Sequence, residues 1–243
     1  MQDDPKIRLY LDHPLGPAQS LPLTRDQAGY LFRVMRLGPG AEIAVFNGHD
    51  GEWRAEVTAA GRHGGALECR SLLRPQSLPP DLWLLFAPIR KERTDFIVEK
   101  AAEMGVRRIL PVRTDRTQAG RIQRDRLQAH AIEAAEQCGN TFVPEVAELA
   151  PLSAVLDGWE AARPLTWCDE ALADGPAPDT AADETPRGAV LIGPAGGFSP
   201  AERARLAAMP AARPTRLGPR ILRADTAAVA ALALWQLRHG DWR

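Results

Sequence analysis

The segment Arg74-Pro75-Gln76-Ser77-Leu78-Pro79-Pro80 constrains this chain more than any other stretch, because the pattern of apolar residues changes across it. Its prolines can continue neither a hydrogen-bonded ladder nor a helix, so residues 75–80 read as a linker. Before it, residues 7–11, 42–46 and 52–57 alternate or cluster apolar side chains, and Asn47-Gly48 and Asp50-Gly51 supply hairpin turns. Residues 25–36 read as one helix, stopped by Gly38-Pro39-Gly40. This pattern predicts a small β-barrel over residues 1–74.

From Asp81 onward the texture is alternating strand and helix. Strands are expected at 82–87, 108–112, 165–168 and 189–192. Helices are expected at 94–104, at 124–138 and at 226–238, the first capped by Thr94 or Asp95 and stopped by Gly105. Such alternation predicts an α/β domain over 81–243 with a largely parallel sheet. Residues 173–185, rich in Ala, Pro and Asp, read as an exposed loop.

Composition narrows the function classes. The 243 residues suffice for one large domain or two modest ones. No apolar run approaches the roughly 18 residues of a membrane span, so no membrane partner is expected. The N-terminus, MQDDPKIR, lacks the apolar core of a signal peptide. Cys69, Cys138 and Cys168 form no CxxC pair, which argues against a disulfide framework and a zinc site. No metal and a cytoplasmic location are therefore expected.

The net charge of −1 conceals an uneven distribution. Residues 90–126 carry eleven basic and six acidic side chains, and residues 201–243 carry eight arginines against three acids. Between them, residues 145–187 hold ten acids and two arginines. Basic segments in a neutral protein can form a phosphate-binding face. The abundance of Arg, Ala and Pro also fits a bias in base composition, so charge alone leaves the choice open.

Two stretches carry the chemistry. The strand at 189–192 runs into Gly193-Pro194-Ala195-Gly196-Gly197-Phe198, and Ser199-Pro200-Ala201-Glu202 then forms a capping box. A glycine-rich bend between strand and helix is where open α/β sheets bind ligands; taken alone, it fits a simple tight turn better than a site. It is neither a GxGxxG nor a GxxxxGK[ST] motif, so a dinucleotide or triphosphate has no support here. The second stretch, Leu217-Gly218-Pro219-Arg220-Ile221-Leu222-Arg223-Ala224-Asp225-Thr226, reads as a strand end, a turn and a helix start, with Asp225 or Thr226 as cap.

Together with Ile7-Arg8-Leu9-Tyr10, residues 31–37 (LFRVMRL), residues 99–106 (EKAAEMGV) and residues 133–138 (EAAEQC), these stretches resemble the ribosomal RNA small subunit methyltransferase E family, a branch of the SPOUT superfamily. The resemblance runs along nearly the whole chain. It implies a SPOUT-type domain with a deep trefoil knot, preceded by a PUA-like barrel that helps to grip RNA. It also implies a homodimer that uses S-adenosylmethionine to methylate N3 of a uridine in 16S rRNA of the small ribosomal subunit. Carried onto this sequence, the cofactor falls to Leu191, Ile192, Gly193, Pro194, Gly196 and Gly197 of the first stretch, and to Leu217, Gly218, Ile221, Leu222 and Thr226 of the second. This chain has Ala195 where the family has glutamate, Asp225 where it has glutamate, no histidine near Gly29-Tyr30, and Asn140 in place of arginine.

Uracil N3 is a poor nucleophile while protonated, so a base must take its proton or a cation must stabilise the developing enolate oxygens. Asp225 is the candidate base and Arg223 the candidate stabiliser. Arg8, Arg33, Arg36, Lys91, Arg93, Arg113 and Arg116 are candidate phosphate contacts, and each also fits a solvated surface side chain. Two alternatives remain: a SPOUT methyltransferase acting on another RNA position, and an RNA- and cofactor-binding protein that has lost catalysis.

Overall fold

Apolar side chains two residues apart build the core of the first unit, as strands with one buried face require. Leu9 on β1 (Arg8–Tyr10), Leu21 and Leu23 on β2 (Ser20–Leu23), Ile43 and Val45 on β3 (Glu42–Phe46), Ala55 and Val57 on β4 (Glu52–Gly61), and Leu67 and Cys69 on β5 (Gly64–Arg74) meet in one cluster. The computed structural model describes residues 4–61, 64–170 and 187–242; the loop expected at 173–185 lies outside them. The five strands run in the order β1-β3-β4-β5-β2, antiparallel except for the β1–β3 pair. Strands β2 and β5 were not anticipated. Pro22 is tolerated because β2 is an edge, paired with β5 alone.

The helix expected over 25–36 is broken. Helix α1 (Arg25–Ala28) starts at Thr24, whose side chain and that of Gln27 form a capping box. A π-helical turn, Gly29–Val34, follows, and Arg36 ends it in the left-handed region at φ 58°. Gly29 opens this wider turn, and the guanidinium of Arg33 folds back over the space a side chain there would take.

This first unit, Met1–Leu78, also includes Ala135–Val143. The second comprises Pro79–Ala134 and Pro144–Arg243. Its strands are β6 (Asp81–Phe86), β7 (Arg108–Arg113), β8 (Glu145–Val146), β9 (Ala150–Pro151), β10 (Leu165–Cys168), β11 (Arg187–Ile192) and β12 (Ala212–Thr215). They lie in the order β12-β10-β11-β6-β7-β8, with β9 also beside β7, and every pairing is parallel. Parallel strands need crossovers, which α2 (Lys91–Glu103), α3 (Arg124–Cys138), α4 (Leu152–Asp157) and α5 (Pro200–Ala208) supply, and α6 (Ala224–His239) closes the chain. Leu85, Val112, Leu165, Trp167, Leu191 and Phe198 belong to the core packed against this sheet.

Two helices begin earlier than their side chains suggested. At α2 the cap position is Arg90, and Thr94 instead bonds back to Ile89, its Oγ1 accepting from the Ile89 N–H at 3.0 Å. At α6 the cap position is Arg223, so Asp225 and Thr226 lie inside the first turn. Among the described residues no helix is long and apolar enough to cross a membrane.

Candidate active site

Because the sheet of the second unit is parallel, the loops leaving its strands gather at one edge. Residues 88–90 after β6, 116–119 after β7, 168–170 at the end of β10, 193–198 after β11 and 215–223 after β12 enclose a cavity of about 760 Å³. A cleft at the carboxyl ends of parallel strands is the expected ligand position in such sheets. Both chemistry-bearing stretches of the sequence meet in it.

The glycine loop is held from two sides. Arg116 Nη1 donates to the Gly196 carbonyl at 2.6 Å, Ser199 Oγ bonds Asp115 Oδ2 at 2.6 Å, and the Asp115 N–H donates to Glu202 Oε1 at 2.9 Å. Glu202 and Ser199 also complete the capping box of α5. On the other side, Arg203 pairs with Asp169 at 2.9 Å and with Glu170 at 3.5 Å. Gly197 has φ +65°, and a Cβ there would run into the Glu170 carboxylate. The loop therefore presents backbone close to the cavity, which only glycine permits here.

Of the cofactor candidates, Ile192, Gly193, Pro194, Gly196, Gly197, Leu217, Gly218, Ile221 and Leu222 line the cavity. Leu191 is wholly buried in the core behind the strand end, and Thr226 is exposed on α6; neither lines it. Arg223 and Asp225 both do. Asp225 Oδ2 accepts from Arg93 Nη1 at 2.8 Å, and Oδ1 accepts from the Thr226 N–H at 3.1 Å.

The seven candidate phosphate contacts separate. Arg93 and Arg116 line the cavity but are engaged with Asp225 and with Gly196. Lys91 and Arg113 are exposed on the second unit, and Arg33 and Arg36 on the first. Arg8 lies inside the first unit: its guanidinium bonds Glu52 at 2.5 Å and the carbonyls of Ala135, Glu136 and Asn140 at 2.7, 2.7 and 2.9 Å.

Sequence reasoning missed Arg90, Gln118, Cys168, Asp169, Glu170 and Thr215 in the wall. The signal was present for Asp169 and Glu170, which follow the predicted strand at 165–168 just as the glycines follow theirs. Cys168 is half-buried in this wall, and desolvation pushes its thiol up to about 12. Arg90, Arg220 and Arg223 line the cavity without an acidic partner among the described residues, so its mouth is electropositive. No cluster of three or more His, Cys, Asp or Glu among the described residues could hold a metal.

Comparison with known proteins points the same way. The profile of the RNA methyltransferase domain family matches residues 76–236, and that of the RNA methyltransferase PUA domain matches residues 23–68. A ribosomal RNA small subunit methyltransferase E of Synechocystis is 33% identical over 218 residues, 87% of this chain and 71% of the relative. A ribosomal RNA small subunit methyltransferase E of Neisseria gonorrhoeae, solved bound to S-adenosyl methionine, superposes with a TM-score of 0.86 at 26% identity over 98% of this chain and 99% of that one. A candidate methyltransferase of Legionella pneumophila, solved with bound S-adenosylmethionine, gives a TM-score of 0.85 at 28% identity, covering 97% and 98% of the two chains.

Proposed function

The chain belongs to the RNA methyltransferase family, with that family's PUA domain ahead of its catalytic domain, and from this premise we propose that it transfers a methyl group from S-adenosylmethionine to N3 of a uridine in 16S rRNA of the small ribosomal subunit. The observation that carries the proposal is the convergence of the glycine loop and residues 215–223 on one cavity at the carboxyl edge of the parallel sheet. Two relatives of the same fold over nearly the full chain were solved with that cofactor, which supports its assignment here.

The residues present suit the cofactor. About 760 Å³ is within the range of small-molecule sites. Ile192, Leu217 and Leu222 supply apolar wall for an adenine, the glycine backbone supplies close donors and acceptors, and Asp169 and Glu170 supply negative charge for a sulfonium. When bound, the cofactor supplies an electrophilic methyl group, so the protein's task is to orient donor and acceptor in line. Arg116, Asp115 and Arg203 keep the loop in one shape and so perform that orientation. Asp225 takes the N3 proton, and Arg223 faces the oxygens on which charge develops.

RNA contacts fall to Arg33, Arg36, Lys91 and Arg113, which are exposed, and to the arginines of the cavity mouth. N3 lies on the pairing edge, so a paired uridine opens before reaction. The same proposal includes a knotted chain end, supported by the position of β10, β11 and β12 together on one side of β6. It includes a homodimer as well, supported by Leu234 and Leu237 exposed on α6, and activity in the cytoplasm, where ribosomal subunits are assembled.

The test is methyl transfer from labelled cofactor to small subunits lacking the modification, followed by mapping of the modified nucleotide. Label on uridine N3 is the expected result. Tight cofactor binding without transfer would overturn the enzymatic assignment, and label on a ribose hydroxyl or another base would overturn the target.

A further inference from the structure

Beside the cofactor cavity lies a second one of about 340 Å³, and the two share Pro88, Ile89 and Ala119 in their walls. Its other walls carry Lys91, Arg121 and Arg126 and no carboxylate. Two helices also begin at it: Lys91 is the first residue of α2, and Ile122 and Gln123 lead directly into α3. Helix starts present unsatisfied amides and partial positive charge. Three cations in the wall and two helix starts make a site for an anion.

The three cations differ in how they are held. Arg126 is fixed by Asp95 and by Gln123, whose Oε1 accepts from Arg126 Nε at 3.1 Å. Asp95 also lies beside His130, with its Oδ2 3.6 Å from Nε2. Lys91 and Arg121 are exposed and have no acidic partner among the described residues. Their charge is thus available to a ligand, and Arg126 gives that ligand a fixed point.

We propose that this second cavity is a phosphodiester subsite, which grips the RNA backbone beside the nucleotide whose base enters the cofactor cavity. The proposal rests on the RNA methyl transfer stated above. S-adenosylmethionine carries one carboxylate and no phosphate, and a wall with Lys91, Arg121 and Arg126 exceeds what one carboxylate needs, so the site is assigned to the other substrate. The volume exceeds that of a single phosphate and leaves room for an adjoining ribose. Gripping the backbone there holds the strand in register while the base is out of its stack, at the moment when pairing no longer holds it.

The test uses the full chain with Lys91→Ala and Arg121→Ala, singly and together. For the double variant, KM for small subunits lacking the modification is expected to rise about tenfold, and the logarithmic salt dependence of RNA binding to flatten by about one to two. The dissociation constant for S-adenosylmethionine is expected to stay within twofold, which also reports that the variant is folded. With wild-type protein active, an unchanged KM and salt slope would overturn the subsite. Binding of a short single-stranded RNA, read with and without inorganic phosphate, separates the sources. RNA affinity lost in the double variant supports a phosphodiester; loss of inorganic phosphate binding with RNA affinity intact means a free-anion site and overturns the proposal. If wild-type protein methylates no subunit, the function fails, and the short-RNA measurement still judges the subsite.

Discussion

Arg93 in the first turn of α2 and Asp225 in the first turn of α6 are joined across the cavity mouth, Nη1 to Oδ2 at 2.8 Å. The contact links a residue expected to bind phosphate with one expected to move a proton. Since the Asp225 Oδ1 also accepts from the Thr226 amide, the carboxylate is aimed rather than free to rotate. Its remaining lone pairs are those that can meet a substrate.

Asp225→Asn keeps the shape and removes the base. If Asp225 takes the N3 proton, kcat falls about 10²- to 10⁴-fold, while the dissociation constant for S-adenosylmethionine changes little. Arg93→Ala should cost less, about tenfold in kcat, with partial rescue by Arg93→Lys, because it only aims the carboxylate. Single-turnover methylation of subunits reads both. A kcat within threefold of wild type in Asp225→Asn would remove Asp225 from proton transfer and leave it an anchor between two helices.

Gly197→Ala tests the backbone approach of the glycine loop. The residue has φ +65°, and its missing Cβ would collide with Glu170, which Arg203 restrains. Both the left-handed backbone and the collision disfavour alanine. Affinity for S-adenosylmethionine is expected to fall at least tenfold by calorimetry. Adding Glu170→Ala should recover only the part due to the collision. Full recovery would mean that backbone conformation contributes nothing.

The legible parts of this fold were those with a local cause. The capping box at Ser199 and Glu202, the strand at 165–168 and the helix at 124–138 appear where side-chain chemistry and periodicity placed them. Strand β5 was hidden because its sequence, GGALECRSLLR, opens on two glycines and closes on a mostly exposed half without clean alternation, and only its pairing with β2 and β4 makes it a strand. The site was half legible for the same reason. Glycines and prolines advertise a loop locally, whereas Gln118 and Arg90 reach the cavity only because parallel strands deliver two other loops to one edge.

Arg8 shows how a sequence motif can mislead about role. Its side chain is 13% exposed, pairs with Glu52, which is 4% exposed, and lies 4.5 Å from the Phe46 ring centroid. With three carbonyls of residues 135–140 also bonded to it, it neutralises the end of α3 and completes the first unit. Arg8→Ala leaves Glu52 with Arg74 as its remaining partner and is expected to destabilise the protein by about 3 kcal/mol. The salt dependence of RNA binding should not change. Urea unfolding and a salt titration read the two effects, and a flattened salt slope with unaltered stability would return Arg8 to the RNA-binding face.

The three cysteines offer a chemical readout of how closed the cavity is. Thiolate, not thiol, reacts with alkylating reagents. Cys138 is exposed, whereas Cys69 is buried, and burial raises its thiol above the usual range. Cys168 stands in the cavity wall, yet burial pushes its thiol up to about 12, so at pH 8 almost none is ionised. Native protein treated with iodoacetamide at pH 8 is therefore expected to gain one adduct, at Cys138, within the time in which unfolded protein gains three. Raising the pH toward 10 should still label Cys138 well ahead of Cys168, because that pH remains below the raised range of the Cys168 thiol. Peptide mass spectrometry assigns the adducts. Rapid labelling of Cys168 that S-adenosylmethionine suppresses would show instead that the wall opens to water when the cofactor leaves.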